Sequence, residues 1–143
     1  MTIENPLRPV LLVEDNPVDI DLTLRALAKR NLANQVNMSR DGEEALAWIP
    51  RWEAGEMLPA VILLDLKMPK VSGLEVLKHL KEHPCCRNIP VVVLTSSSDD
   101  RDIDTAYKLG ANSYIVKPVD FHKFTEVVAE IELYWCLLNE PSL

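Results

Sequence analysis

Ala60-Val61-Ile62-Leu63-Leu64-Asp65-Leu66-Lys67-Met68-Pro69 is the stretch that decides the fold. An apolar run of five residues meets an aspartate, and a proline follows four positions later. So short an unbroken run suits a strand buried on both faces, as in a parallel sheet. Pro69 cannot donate to a strand ladder, so the strand ends before it and Asp65 stands where the chain leaves the sheet. Open α/β sheets place their ligand crevice at the carboxyl ends of the strands. Asp65 is therefore read as a functional carboxylate rather than a helix cap.

Working outward, Val10-Leu11-Leu12-Val13 is a second apolar run that meets acid, here Glu14-Asp15. Asn16-Pro17 opens a helix, with Asn as N-cap and Pro at the first helical position. Ile20, Leu24, Leu27 and Ala28 give it an apolar stripe. Gln35-Val36-Asn37-Met38 alternates weakly and is the faintest strand signal. Asp41-Gly42-Glu43-Glu44 is a capping box that launches a helix through Ala45, Leu46 and Ile49, with Pro50 as a kink or a stop. Ser72-Gly73-Leu74-Glu75 is another such box, and its helix buries Val76, Leu77 and Leu80 before Pro84. Ile89 to Leu94 is a third buried strand, running into Thr95 and a row of serines. A polar helix from Asp99 to Leu109 turns Ile103, Ala106 and Tyr107 inward and ends at Gly110. Ser113 to Val116 is the last strand, followed by Lys117-Pro118 and a closing helix from about Asp120 to Asn139.

Five alternations of strand and helix predict one α/β domain: a doubly wound parallel sheet with helices on both faces. The flavodoxin-like strand order 2-1-3-4-5 is the expected solution. The 143 residues suffice for one domain with a real core. A formal net charge of −7 argues against a nucleic-acid surface or an anionic membrane as partner. No apolar run approaches the ~20 residues of a membrane span, and the start of the chain has no signal-peptide pattern. Three cysteines, two of them adjacent, form no disulfide framework, so the expected compartment is the cytoplasm.

Glu14-Asp15, Asp65, Thr95 and Lys117 all fall at strand ends. Asp65 lies 50 residues after Asp15, Thr95 30 after Asp65, and Lys117 22 after Thr95. One strand–helix–strand passage takes roughly 30 residues, so the gaps bring all these groups to one edge of the sheet. Strands 1 and 3 are neighbours in the expected order, which sets Asp15 opposite Asp65. Crowded carboxylates repel unless a cation joins them. A hard divalent ion such as Mg²⁺, held by one or two carboxylates and bridging to a phosphoryl oxygen, answers that need. With Mg²⁺ and Lys117 offsetting the charge, a carboxylate can accept a phosphoryl group. Thr95 offers a hydroxyl donor. Lys117 could instead be an ordinary snorkelling surface lysine, but Pro118 follows it directly, and a cis Lys117–Pro118 bond would aim it into the site.

These residues resemble the response-regulator receiver domain of two-component signalling. The resemblance rests on Glu14-Asp15, on Asp65 in Leu-Leu-Asp-Leu-Lys-Met-Pro, on Thr95-Ser96 and on Lys117-Pro118, and it spans roughly Pro9 to Leu137. It implies a single receiver domain over 1–143 with no output domain. It further implies Asp65 as phosphoacceptor, phosphorylated by a histidine kinase, with Mg²⁺ held by Glu14, Asp15, Asp65 and the backbone carbonyl of Lys67. Thr95 with Ser96 and Tyr114 would form the phosphate-binding and switch group, together with Lys117. A receiver of this kind catalyses only its own phosphoryl transfer and slow dephosphorylation. Lys67 departs from the family habit of asparagine at its position. The turn after Asp65 and the ending Tyr134-Trp135-Cys136-Leu137-Leu138-Asn139-Glu140-Pro141 resemble the small regulators that serve cyanobacterial phytochrome kinases.

The alternative is a haloacid-dehalogenase-like phosphatase, which also forms an aspartyl phosphate but needs a second Asp where this chain has Lys67. His79 and His83, with Cys85 and Cys86 behind them, suggest zinc only superficially, because Pro84 breaks the helix between them. Trp48 and Trp52 read as helix packing. On the closing helix, Phe121, Phe124, Val128, Ile131, Trp135 and Leu138 form a stripe expected to face the sheet, with Glu126 and Glu130 opposite. Leu133 and Leu137 continue the outer face, flanked by Tyr134, and predict a homodimer through this helix and the last strand.

Overall fold

A computed structural model describes residues 7–29, 34–118, 120–131 and 134–135. Its five strands are β1 (Val10–Val13), β2 (Val36–Ser39), β3 (Val61–Leu64), β4 (Val91–Thr95) and β5 (Ser113–Val116). They form one sheet in the order β2-β1-β3-β4-β5, every pairing parallel. The helices are α1 (Pro17–Lys29), α2 (Gly42–Leu46), α3 (Trp48–Glu53), α4 (Gly73–Glu82), α5 (Asp100–Lys108) and α6 (Phe121–Ile131). No helix among the described residues is long and apolar enough to cross a membrane.

The central strands explain their own sequence. Every residue of β1, β3 and β4 is buried, which is why they read as apolar runs without alternation. Leu11, Val13, Ile62, Leu64, Val91 and Val93 face a core built with α2 to α5. Val10, Leu12, Val61, Leu63, Val92 and Leu94 face the other way, toward Leu27 of α1 and Phe124, Val128 and Ile131 of α6.

The helix starts follow their capping residues. Asn16 Oδ1 accepts from the N–H groups of Val18 and Asp19 at 2.9 and 3.2 Å. Asp41 accepts from Glu44 N at 2.8 Å and Ser72 from Glu75 N at 3.3 Å. Gly110 ends α5's last turn with φ of 108°, where a side chain would be strained.

Several expectations need correction. The helix begun at Gly42 breaks at Ala47, and Pro50 sits inside α3, in its first turn, where its missing N–H costs no helical bond. In α1 Ala28 is exposed, and Thr23 and Ala26 take the inner face. Thr23 is tolerated there because its hydroxyl donates to Asp19 O at 2.8 Å. Tyr107 is 49% exposed rather than inside. It lies against the open edge of β5, its hydroxyl accepting from Tyr114 N at 3.1 Å. Phe121 begins α6 at the surface, ahead of the buried positions. The stripe expected of α6 holds at Phe124, Val128 and Ile131. Leu133, Leu137 and Leu138 lie outside the described residues.

Candidate functional site

The sheet register brings the strand ends together. Val13 pairs with both Ser39 and Leu64, and Thr95 pairs with Val116. The residue that follows each end continues the ladder by a backbone bond. Glu14 N donates to Ser39 O, Asp65 N to Val13 O and Lys117 N to Thr95 O, at 3.0, 3.0 and 2.7 Å. Glu14, Asp65, Thr95 and Lys117 thus share the carboxyl edge of the sheet.

Each group is buried there for a reason. Glu14 is 3% exposed, Asp65 6% and Thr95 0%. Carboxylate oxygens of Glu14, Asp15 and Asp65 lie within 4.8 Å of one another. Lys117 Nζ reaches Glu14 Oε1 at 2.5 Å and Asp19 Oδ2 at 2.8 Å, and stands 3.9 Å from Asp65 Oδ2. The Lys117–Pro118 bond is not cis. The expected re-aiming is unnecessary, because the strand end already points the lysine stem at the acids.

Burial and charge together set the protonation here. Burial pushes the Glu14 carboxyl up to about 7, with the nearby Asp65 charge adding to the rise and Lys117 opposing it. Burial alone would lower the Lys117 ammonium. Its hydrogen bonds to Asp19 and Glu14 and the charge of Asp65 overcome that, so its pKa is raised. Among the described residues, buried Asp65 Oδ1 has no hydrogen-bond partner. A buried carboxylate oxygen left without a partner is costly, and it is where a ligand or cation is wanted. Three clustered hard oxygen donors fit a divalent ion such as Mg²⁺.

A second network stands beside these acids. Lys67 Nζ pairs with Asp102 Oδ2 at 3.2 Å, and Ser97 Oγ donates to the same oxygen at 2.6 Å. The Tyr114 hydroxyl turns in toward this loop and donates to Ser97 O at 2.8 Å. Burial raises the Tyr114 phenol above its ordinary range, against the pull of its Ser97 bond. Ser97 N donates to Thr95 Oγ1 at 3.4 Å. Ser96 is exposed beside it. Tyr134 is 53% exposed, and Leu133 and Leu137 lie outside the described residues.

Sequence reading missed Asp19, Ser97 and Asp102. Asp19 lies four positions after Asp15, but Asp15 precedes α1, so no helical spacing ties the two. No spacing rule links Ser97 and Asp102 to Tyr114. As expected, the superficial zinc pattern is not a ligand group: His79 and His83 place Nδ1 against the carbonyls of Glu75 and His79, and Cys86 is buried. Trp48 and Trp52 stack at 5.9 Å, as packing residues should.

The model of the response regulator receiver domain matches residues 10–129. This chain belongs to that family. Among curated receivers, it is 42% identical over 127 residues to the probable methanogenesis regulatory protein FilR2 of Methanothrix harundinacea, covering 88% of this chain and 82% of that protein. It is 36% identical over 133 residues to response regulator Rcp1 of Synechocystis, covering 92% and 90%. Rcp1 has also been solved in a Mn²⁺-bound form, which matches with a TM-score of 0.85 at 33% identity over 95% of this chain and 99% of that one. The phosphorylated cyanobacterial phytochrome response regulator RcpA matches with a TM-score of 0.88 at 37% identity, over 96% and 100%. The receiver fold and the five-stranded order are those expected. Nothing in the site favours the dehalogenase-like phosphatase. Lys67, at the place of that family's second aspartate, is tied to Asp102 instead.

Proposed function

We propose that this receiver accepts a phosphoryl group on Asp65 from a histidine kinase. The observation that carries the reading is the unpartnered, buried Asp65 Oδ1 beside two further carboxylates and one ammonium. In the transfer an Asp65 oxygen bonds to phosphorus. The P–N bond of the donor phosphohistidine breaks, and its electron pair leaves with the imidazole. Lys117 donates to one phosphoryl oxygen as charge develops. Thr95 donates to another, since its oxygen already accepts from Ser97 N and its own proton is uncommitted. Ser96, exposed next to Thr95, would add to phosphoryl binding, and Tyr114 reports the change through Ser97. Glu14, Asp15, Asp65 and the Lys67 carbonyl would hold Mg²⁺, which when bound supplies the positive charge that lets acids and phosphoryl oxygens share this edge. The only further chemistry is slow hydrolysis of the chain's own aspartyl phosphate.

Likeness to Rcp1 and RcpA supports a phytochrome-type kinase as donor. A homodimer through α6 and β5 is supported by β5's place at the sheet edge. It is supported too by exposed Tyr134, Phe121 and Val116. The test of the reading is intact mass after incubation with acetyl phosphate and Mg²⁺. Wild type gains one phosphoryl group, and chelation suppresses the gain. Asp65→Asn stays unmodified, because an amide is a poor nucleophile. Full modification of that variant at another residue would overturn the assignment.

A further inference from the structure

Lys117 directs two hydrogen bonds away from Asp65. An ammonium carries three donors, and two of them are taken by Glu14 Oε1 at 2.5 Å and Asp19 Oδ2 at 2.8 Å. Asp65 Oδ2, at 3.9 Å, is beyond hydrogen-bond range. Glu14 is also one of three acids clustered within 4.8 Å, so two cations claim it. Asp19 stands outside that cluster and can serve Lys117 alone. The backbone of Asp19 makes the capping bond to Asn16 and accepts from Thr23, while its side chain is 29% exposed.

We propose that Asp19 is a positioning residue: its carboxylate anchors Lys117 at rest, and the lysine gives up that partner to reach a phosphoryl group on Asp65. The inference rests on Asp65 as the acceptor. It makes Asp19 a competitor of the phosphoryl group for one ammonium. Neutralising Asp19 therefore favours the phosphoryl-bound state, although it removes an ion pair from the resting one.

The probe is beryllium trifluoride, a tetrahedral phosphoryl mimic, titrated at saturating Mg²⁺ and followed by ¹⁹F NMR. Asp19→Asn should bind it about fivefold more tightly than wild type, the size a partly exposed ion pair supplies. Asp19→Ser, which also removes the charge, should move the same way, and Asp19→Glu should return toward wild type. Asp21→Asn, on the same helix and paired with Arg25, controls for net charge and should leave affinity unchanged. In the unliganded protein, the Lys117 ammonium resonance should shift in Asp19→Asn and not in Asp21→Asn. Unchanged or weaker binding in both neutral variants would overturn the inference alone. So would equal tightening in Asp21→Asn. Wild type that neither binds the probe nor takes a phosphoryl group on Asp65 would overturn the Asp65 reading, and the inference with it.

Discussion

At the scale of single residues, burial divides the chain's ionisable groups into those held ready and those silenced. Glu14, Asp65 and Lys117 share one buried edge, where burial and the nearby Asp65 charge raise the Glu14 carboxyl and the acids raise the Lys117 ammonium. Cys86 is the opposite case. Burial, with Cys85 beside it, pushes its thiol up to about 12 from 9.0, and Sγ is spent on Leu80 O. The thiolate is the reactive form, so native Cys86 should resist alkylation at pH 8. Peptide mapping after a short iodoacetamide pulse should find Cys86 unmodified until urea unfolds the protein; rapid native labelling would contradict the burial argument. The folded state also keeps this proton where the unfolded state releases it. Its share of stability is therefore full below pH 9 and falls as pH rises from there toward 12. Residue identity made Asp65, Thr95 and Lys117 legible in the sequence, because polar groups interrupting apolar runs are conspicuous. Asp19 was not, since an acid in the first turn of a helix has an ordinary explanation in the helix dipole.

At the scale of elements, the join between β3 and α4 is tight. Gly73 N donates to Leu66 O at 3.0 Å, closing the loop onto the end of β3. A Cβ at Gly73 would stand 2.2 Å from Asp65 O and 2.6 Å from Leu66 Cα. Both are backbone atoms and cannot swing aside. Gly73→Ala should therefore cost about 1–3 kcal/mol or more and displace the main chain that carries Asp65. Urea denaturation reads the first effect and the rate of phosphorylation by acetyl phosphate the second; an unshifted midpoint would rule out the clash. Capping chemistry made α1, α2 and α4 readable at their starts, and apolar runs did the same for the central strands. Edge elements were harder. β2 is only partly buried, so its pattern was faint, and its bounds lie one residue later than read. Tyr107 was misplaced because a tyrosine can lie on the surface when an edge strand's N–H needs an acceptor.

At the scale of the whole molecule, one face of the sheet is covered by α2 to α5 and the other by α1 and α6. The β5 edge beside α6 carries the exposed apolar side chains Val116, Phe121 and Tyr134. A symmetric pair through this region would cover the edge, and each buried leucine added at 133 and 137 would contribute roughly 1.5–3 kcal/mol. Light scattering on the size-exclusion peak should give a dimer at about tens of micromolar. Leu133→Glu/Leu137→Glu should give a monomer, and a monomeric wild type, phosphorylated or not, would end the proposal. The dimer is read from helical spacing beyond Ile131, whereas the parallel sheet follows from alternating runs of sequence; the first depends on a partner's surface and the second only on the chain's own.

The hydrogen bond from Lys117 to Glu14 spans 103 positions of sequence. Synthesis delivers residues in order, so the carboxylates of β1 and β3 emerge long before the ammonium that balances them. Until β5 docks, Glu14 and Asp65 can enter the interior only with an uncompensated charge or an added proton. Closure over so long a separation is also slow relative to local helix formation. The nascent chain thus has an electrostatic reason to stay open at this edge until Lys117 has left the ribosome. A fragment cut short before Lys117 keeps the same imbalance, with no ammonium to offset the buried acids.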